Sequence, residues 1–366
     1  MYNNPFTPVF GSEPPFLGGR ERFINDVLKG LDNAPGDPNR ITIFTGPRGS
    51  GKTVLLSRIA AEAKGRGWIS VDVSSAPDML QDLIDQVEEQ AGAFITKQPS
   101  SKITELTAAG FGVARKIMPE AQKGWRIRME KYLDELADKE IGLLFSIDEV
   151  TARSQDLVYF ISTFQFFIRA KRNVALIMAG LPGNVLQMFQ LESISFLRRA
   201  FRRTLDPIGL PEVRRVLRNT IEITGRHIEP VALKKAAERT EGLPFLIQLI
   251  GYHSFNQSTN ILITLSDVEN GIIDAKEDME SMVLEATFNE LSGVERQFLL
   301  FMAQDERESR VADIVERMGV NSQYVGNYRS RLIAQGVIVP AGRGKLTFAM
   351  PMLKEMLLER MDEGEL

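Results

Sequence analysis

Residues 46–53 carry the chemical groups best suited to hold a phosphate. Gly46-Pro47-Arg48-Gly49-Ser50-Gly51-Lys52-Thr53 has the glycine spacing of a P-loop, followed by a lysine and a hydroxyl residue. The glycines allow successive backbone N–H groups to point at one anion. Lys52 can reach the β- and γ-phosphates of a nucleotide, and the Thr53 hydroxyl can ligate Mg²⁺. A β-rich run, Ile41 to Phe44, precedes the loop and a helical pattern follows it, which is the setting that a P-loop requires.

Two acids follow a hydrophobic run further along the chain. The run Leu143 to Ile147 is typical of a buried parallel strand, and it leads directly into Asp148-Glu149. We expect Asp148 to hold Mg²⁺ and Glu149 to orient and polarise an attacking water. Binding alone does not need the second acid, whereas hydrolysis usually does, so the pair predicts an ATPase. Two solvated acids at a strand end are the alternative interpretation.

A cluster of arginines is a further candidate for phosphate chemistry. Arg198-Arg199-Ala200-Phe201-Arg202-Arg203 follows the fourth predicted strand. An arginine can stabilise the transition state of phosphoryl transfer, either in its own chain or from a neighbouring subunit. Arg199 and Arg203 are our first choices for that catalytic role. The alternative is a solvated basic helix end, which the helix dipole favours.

The order of predicted elements gives the fold class. Strands alternate with helices up to about Asp206, which predicts an α/β, parallel-sheet P-loop NTPase core covered on both faces. Four helices follow, and then three helices and two short β runs, the pattern of a winged helix-turn-helix domain. The predicted domains are an N-terminal linker and helix (1–40), the ATPase core (41–206), an all-α lid (207–291) and the winged helix (292–366). Residues 93–125 are predicted to be an insertion before a helix at about 126–138, either a surface insertion or a contact for a partner.

Basic residues are concentrated in the C-terminal domain. Residues 321–345 contain four basic residues and no acidic residue, although the whole chain has a formal net charge of -4. In the predicted recognition helix, Val325, Tyr328 and Leu332 can form a buried stripe. The amide and basic side chains outside this stripe predict contact with duplex DNA. The alternative is a winged helix used for protein contact or oligomer packing. The candidate DNA-binding residues are Gln323, Asn327, Arg329 and Arg331 on the helix, and Arg343 and Lys345 at the wing.

Composition excludes several other kinds of site. The chain has no cysteine, so disulfides, thiol catalysis and cysteine-ligated metals are excluded. Its two histidines, His227 and His253, are too far apart in the sequence to suggest a metal site. The most apolar stretch, Leu157 to Ile168, is too short to span a bilayer. The N-terminus has no basic region followed by an apolar run, so we expect no secretory signal, no membrane partner and a cytoplasmic protein.

Taken together, these motifs resemble the AAA+ ATPases of the archaeal-type, origin-recognition-like group, which borders the STAND signalling ATPases. The resemblance also rests on the box Phe16-Leu17-Gly18-Gly19-Arg20-Glu21 before the core and on Gly242-Leu243-Pro244 in the lid. It implies ATP or ADP as the ligand and an adenine site near Phe16, Leu17, Arg20 and Pro207-Ile208. The chain departs from the group at the fourth strand, which ends in small apolar residues, and at Pro244 to Gln248, where the usual lid arginine is absent.

Two functions are compatible with this pattern. The first is an ATP-controlled switch that places winged helices on duplex DNA. The second is a STAND-like signalling switch, in which the winged helix is an inhibitory or assembly module and the partner is a protein or another copy of the chain. Salt-sensitive binding to duplex DNA distinguishes the two.

Overall fold

The computed structural model describes residues 2–9, 11–95 and 120–363. Its centre is a five-stranded sheet in the order β2-β3-β4-β1-β5, and all neighbouring strands run parallel. The side chains of β4 and most of β3 are buried, since both faces of the sheet are covered. The strands are β1 (Ile41–Thr45), β2 (Ile69–Ser74), β3 (Leu143–Asp148), β4 (Val174–Gly180) and β5 (Phe201–Thr204).

Helices cover the two faces of this sheet and form two separate hydrophobic clusters. One cluster packs α1 and α2 on the sheet, and the other packs α3, α4, α5 and α6 on it. The carboxyl ends of β1 and β3 lie at the same edge, where ligands of open α/β sheets bind. The helices are α1 (Glu21–Asp32), α2 (Lys52–Gly65), α3 (Met79–Gln90), α4 (Glu120–Ala137), α5 (Gln155–Arg169) and α6 (Pro182–Gln190).

The arginine-rich segment differs from the sequence expectation of a basic helix end. A short 3₁₀ segment, Glu192–Arg199, is followed by the edge strand β5, which pairs with β1 through its backbone. Only Phe201 among the four residues of β5 is strongly apolar, so the sequence lacks the pattern that identifies a strand.

The insertion predicted at 93–125 lies largely outside the described residues, and α4 begins at Glu120 rather than at about 126.

The segment that follows the sheet is predominantly helical, and we call residues 207–291 the lid. One long helical run ends the lid: α10 continues through a π-helical turn, Glu280–Leu284, into α11. Two strands of two residues each pair in parallel within the lid, and they are too short for the sequence to reveal. The elements are α7 (Leu210–Glu222), β6 (His227–Ile228), α8 (Pro230–Arg239), α9 (Pro244–Asn256), β7 (Leu262–Ile263), α10 (Leu265–Met279) and α11 (Glu285–Asn289).

The remaining residues, 292–363, form what we call the C-terminal module. The helices and hairpin that the sequence predicts are present, and the structure adds β8 and α15, which were not predicted. The three strands form an antiparallel sheet in the order β8-β10-β9. The elements are α12 (Gly293–Ala303), β8 (Ser309–Arg310), α13 (Val311–Met318), α14 (Ser322–Ala334), β9 (Ile338–Pro340), β10 (Lys345–Phe348) and α15 (Leu353–Glu363).

No helix in the described part of the chain is both long and apolar enough to cross a membrane.

Helix α5 provides a test of the packing that holds β3 in place. Phe164 is fully buried against Phe145 of β3, with ring centroids 5.9 Å apart, whereas Phe166 on the same helix is 43% exposed. We expect Phe164→Ala to lower the free energy of unfolding by about 3–5 kcal/mol, because it leaves a cavity beside the sheet. Phe166→Ala is the matched control and should change it by less than about 1 kcal/mol. Urea denaturation measures both, and equal effects would contradict this packing.

Candidate nucleotide-binding site

The predicted phosphate-binding loop forms a tight turn between β1 and α2. Gly49 and Gly51 adopt left-handed backbone angles, with φ of 76° and 82°, which favour glycine. A Cβ atom on Gly46 would lie 2.6 Å from Ser50 Oγ, so this position is also closely packed. Helix α2 begins at Lys52, and its N-terminal dipole therefore adds to the attraction of the loop for an anion.

Two side chains in the loop have polar groups suited to a phosphate. Lys52 Nζ donates to the carbonyl oxygens of Gly46 at 3.0 Å and Pro47 at 2.7 Å. Burial lowers the pKa of Lys52 to about 8; Asp148 and Glu149 oppose this shift, and the charge of Arg48 adds to it. The hydroxyl of Ser50 is buried and has no hydrogen-bond partner among the described residues. A bound phosphate oxygen would satisfy both groups.

The two predicted acids lie next to the phosphate-binding loop. Thr53 Oγ1 donates to Asp148 Oδ2 at 2.5 Å. Asp148 Oδ1 accepts from the backbone N–H of Glu149 at 2.8 Å, and Ser75 Oγ donates to the carbonyl of Glu149 at 2.6 Å. Glu149 has a left-handed backbone, with φ of 52°, a costly conformation that concentrates at functional sites. Its backbone is thus fixed while its side chain is exposed.

The oxygen atoms of Thr53 and Asp148 are of the type that Mg²⁺ prefers. Magnesium is commonly held by one or two carboxylates together with phosphate oxygens and water, rather than by an all-protein cage. No group of three or more histidine, cysteine or acidic side chains that could hold a metal occurs within residues 2–9, 11–95 and 120–363. The residues present therefore fit a magnesium ion that is bound together with a nucleotide.

A cavity of about 360 Å³ extends from the phosphate-binding loop to the lid. Gly18 packs so closely on α7 that a Cβ there would lie 2.5 Å from Val216 Cγ2. Arg20 is buried, its Nη2 donates to the carbonyl of Asp206 at 2.8 Å, and burial lowers its pKa. The lining combines apolar walls with the loop and the acids: Phe16, Leu17, Gly18, Arg20, Arg48 to Val54, Asp148, Glu149, Ile208, Val216, Pro244 and Phe245.

Most of the predicted nucleotide contacts lie on this cavity, and three do not. Pro207 is exposed and outside the lining, whereas the adjacent Ile208 is buried and inside it. The reason is local, because the N–H of Ile208 donates to the carbonyl of Gly242 at 2.9 Å, which turns Ile208 inward. Gly46 and Pro47 are also absent from the lining, and their carbonyls instead hold Lys52.

Neither of the two arginines predicted to have a catalytic role lies at the phosphate-binding loop of its own chain. Arg203 is paired with an acid, and Arg199 lies at the opposite edge of the sheet. Arg203 Nη2 lies 3.0 Å from Asp26 Oδ2 on α1. Arg199 lines a second cavity, of about 370 Å³, at the opposite edge of the sheet, where β1 and β4 begin. Neither side chain contributes to the cavity at the loop in its own chain. The geometry therefore leaves only the neighbouring-subunit alternative for Arg199.

Three contributions to the cavity were missed by sequence reasoning. The N-terminal segment crosses it, because Phe6 is buried in the lid and the N–H of Thr7 donates to Gln248 Oε1 at 3.1 Å. Gln248 itself lines the cavity from α9. Met282 of the π-helical turn lines the cavity as well. These contacts join residues distant in sequence, and the irregular N-terminus gave no signal for them.

The candidate DNA-binding residues lie on one module but differ in exposure. Gln323, Asn327, Arg331 and Arg343 are exposed. The guanidinium of Arg331 stacks 5.2 Å from the ring centroid of Tyr328. Lys345 lies 2.7 Å from Glu308, and Arg329 is partly buried with an Nε atom that has no partner among the described residues. Four of the six candidates are thus exposed and outside any ion pair found in the described residues.

The pKa of Lys52 gives the site a pH dependence. Contact with a phosphate needs the protonated ammonium, which is fully present below the pKa and is lost as the pH rises through about 8. We expect nucleotide affinity to fall between about pH 7.5 and 9.5, approaching about tenfold per pH unit. Titration calorimetry with ATP measures this profile. Lys52→Arg stays charged and should give a flatter profile; a flat wild-type profile would contradict the role of Lys52.

Comparison with known proteins agrees with this geometry. Residues 36–189 match a family model described as an AAA domain, and residues 281–357 match one described as a domain of unknown function (DUF8462). A search of curated proteins found no match.

Solved structures share the fold over nearly the whole chain. The Walker-type ATPase PABY2304 of Pyrococcus abyssi has a TM-score of 0.68 at 15% identity, covering 93% of this chain and 96% of its own. The ORC2 protein of Aeropyrum pernix, solved as ADPNP and ADP complexes, has a TM-score of 0.63 at 15% identity, covering 97% and 96%. Cdc6p from Pyrobaculum aerophilum has a TM-score of 0.51 at 16% identity, covering 98% and 97%. Residues 36–189 are thus similar to an AAA domain, and the chain shares its fold with these three proteins.

Proposed function

We propose that this protein is a nucleotide-controlled switch that binds ATP with Mg²⁺, hydrolyses it slowly and binds duplex DNA through a C-terminal winged helix. One observation carries the enzymatic part of the proposal. The Thr53 hydroxyl and the Asp148 carboxylate are 2.5 Å apart, on the same cavity as Lys52 and Glu149. These are the groups that phosphoryl transfer to water requires.

Each group has a separate task in hydrolysis. The loop N–H groups and Lys52 neutralise the phosphate charge, while Thr53 and Asp148 hold the metal. Bound Mg²⁺ would supply additional positive charge to the phosphate oxygens. The exposed Glu149 carboxylate accepts a hydrogen bond from the attacking water and polarises it, with its backbone fixed by Asp148 and Ser75.

The arginines of the cavity support slow turnover in the isolated chain. Arg20 and Arg48 line it within the described residues. Arg20 donates to the carbonyl of Asp206, and Arg48 Nη2 lies 2.7 Å from Glu290. Both guanidiniums are thus paired within the chain in this structure, and an arginine finger is worth about 10³–10⁵ in rate. A second copy that brings in Arg199 is one way to supply it.

The DNA-binding part of the proposal rests on the surface of α14 and the hairpin. Gln323, Asn327 and Arg331 are exposed on the helix, and Arg343 is exposed at the turn between β9 and β10. Amide and guanidinium side chains of this kind contact base edges and phosphates. The residues 321–345 contain no acid, which favours an anionic partner. The footprint is small, so we expect weak, salt-sensitive binding.

A STAND-like switch with a protein partner is the second candidate, and the packing of α14 favours it. A Cβ on Gly183 of α6 would lie 2.2 Å from Ala334 Cβ, and one on Gly336 would lie 3.3 Å from Pro47 Cα. The C-terminal module is therefore docked on the phosphate-binding loop, as an inhibitory or assembly module would be. In this case the partner is a protein or another copy of the chain.

Two substitutions test the enzymatic proposal. Glu149→Gln should preserve ATP binding and lower turnover by about 100-fold or more, because the amide cannot polarise the water. Lys52→Ala should weaken binding itself by about 10- to 100-fold, because it removes a charged hydrogen-bond donor. Phosphate release and titration calorimetry measure the two effects. Normal hydrolysis in both variants would overturn the site assignment.

The DNA proposal has its own test. Arg331→Ala combined with Arg343→Ala should weaken binding to duplex DNA at all sequences and reduce the slope of log affinity against log salt by about 1–2. Lys234→Ala is the control, because Lys234 is an exposed cation on α8, in the lid. Fluorescence anisotropy at several salt concentrations measures these slopes. Absence of salt-sensitive binding by the wild-type protein would favour the protein-partner alternative.

A further inference from the structure

A side chain of the phosphate-binding loop, Arg48, joins the loop to the C-terminal end of the lid. Arg48 Nη2 lies 2.7 Å from Glu290 Oε2, and Arg48 Nη1 donates to Thr287 Oγ1 at 3.3 Å. Thr287 is buried on α11, and Glu290 is the residue after that helix. The C-terminal module begins at residue 292, so this contact holds the segment that leads into it.

The same guanidinium lies beside the position that a phosphate would occupy. Arg48 lines the nucleotide cavity. Lys52 lines the same cavity, and the charge of Arg48 is one of the causes that lower its pKa. A triphosphate bound between Lys52 and the loop would attract Arg48 through the same charge–charge interaction that Glu290 uses now.

The helix that carries the partners of Arg48 is continuous with the wall of the cavity. Helix α11 follows the π-helical turn Glu280–Leu284, and such turns are frequent at functional sites. Met282 and Val283 of this turn line the nucleotide cavity. One continuous helical run therefore joins the wall of the cavity to Thr287 and Glu290.

The C-terminal module also approaches the loop directly, and ion pairs of Arg239 with Glu355 and of Lys276 with Glu359 tie it to the lid. Gly336 approaches Pro47, where a Cβ on the glycine would lie 3.3 Å from Pro47 Cα. Gly183 of α6 approaches Ala334 so closely that no side chain fits between them. Both approaches are made by small, uncharged residues. They form only when the module is docked, and they bury little apolar area.

We propose that bound nucleotide and Glu290 compete for Arg48, so that phosphate binding releases α11 and the C-terminal module from the loop. This inference rests on the proposed nucleotide binding and names how that site controls the rest of the chain. Competition is reciprocal, so the docked module weakens nucleotide binding by the same factor by which nucleotide weakens docking.

The test uses the full chain with Glu290→Gln, which removes the competing charge and keeps the shape. We expect Glu290→Gln to bind ATP with Mg²⁺ about two- to fivefold more tightly than the wild type, because an exposed ion pair of this kind has a modest strength. Glu269→Gln is the control in the lid, since Glu269 is exposed on α10 and forms no ion pair found among the described residues. Titration calorimetry gives the affinities.

A second readout measures docking without nucleotide. Amide hydrogen exchange at residues 332–337 should be faster in Glu290→Gln than in the wild type or Glu269→Gln, because the module is less firmly held. Unchanged or weaker ATP affinity in Glu290→Gln would overturn the competition while leaving nucleotide binding intact. A wild-type protein that binds no ATP would overturn the proposed function itself, and the competition with it.

Discussion

The phosphate-binding loop is the constraint on which the rest of this structure depends. Its left-handed glycines allow the backbone to turn between β1 and α2, and both the lid and the C-terminal module contact that turn. Phe245 of the lid donates its N–H to the carbonyl of Gly49 at 3.2 Å, and Pro47 lies under Gly336 of the C-terminal module. One short loop therefore joins the sheet, the lid and the C-terminal module.

The parallel sheet explains why the acids reach this loop. Strands β1 and β3 flank β4 in the same direction, so Thr45 and Asp148 end at one edge. The apolar residues of β3 bury both faces of the strand and leave Asp148 and Glu149 at its end, where the polar groups meet. A single sheet thus positions the loop and the acids, and the lid closes the apolar side of the cavity.

Much of this arrangement could be predicted from the sequence, because local patterns determine it. The glycine spacing of the loop, the apolar run of β3 and the helical periods of the lid all appear within short windows. The edge strand β5 could not be predicted, since it is held by backbone pairing with β1 and lacks apolar alternation. The pairing of Arg48 with Glu290 joins residues 242 positions apart, and no local pattern contains it.

Hydrogen exchange of the wild-type protein, with and without ATP and Mg²⁺, is the most direct test that one loop joins all three parts. If the loop is the shared contact, nucleotide should slow exchange at residues 46–53 and 243–249 and speed it at 285–291 and 332–337. The opposite signs follow because α9 of the lid closes on the ligand while α11 and the C-terminal module are released. Changes confined to residues 46–53 would contradict this role of the loop.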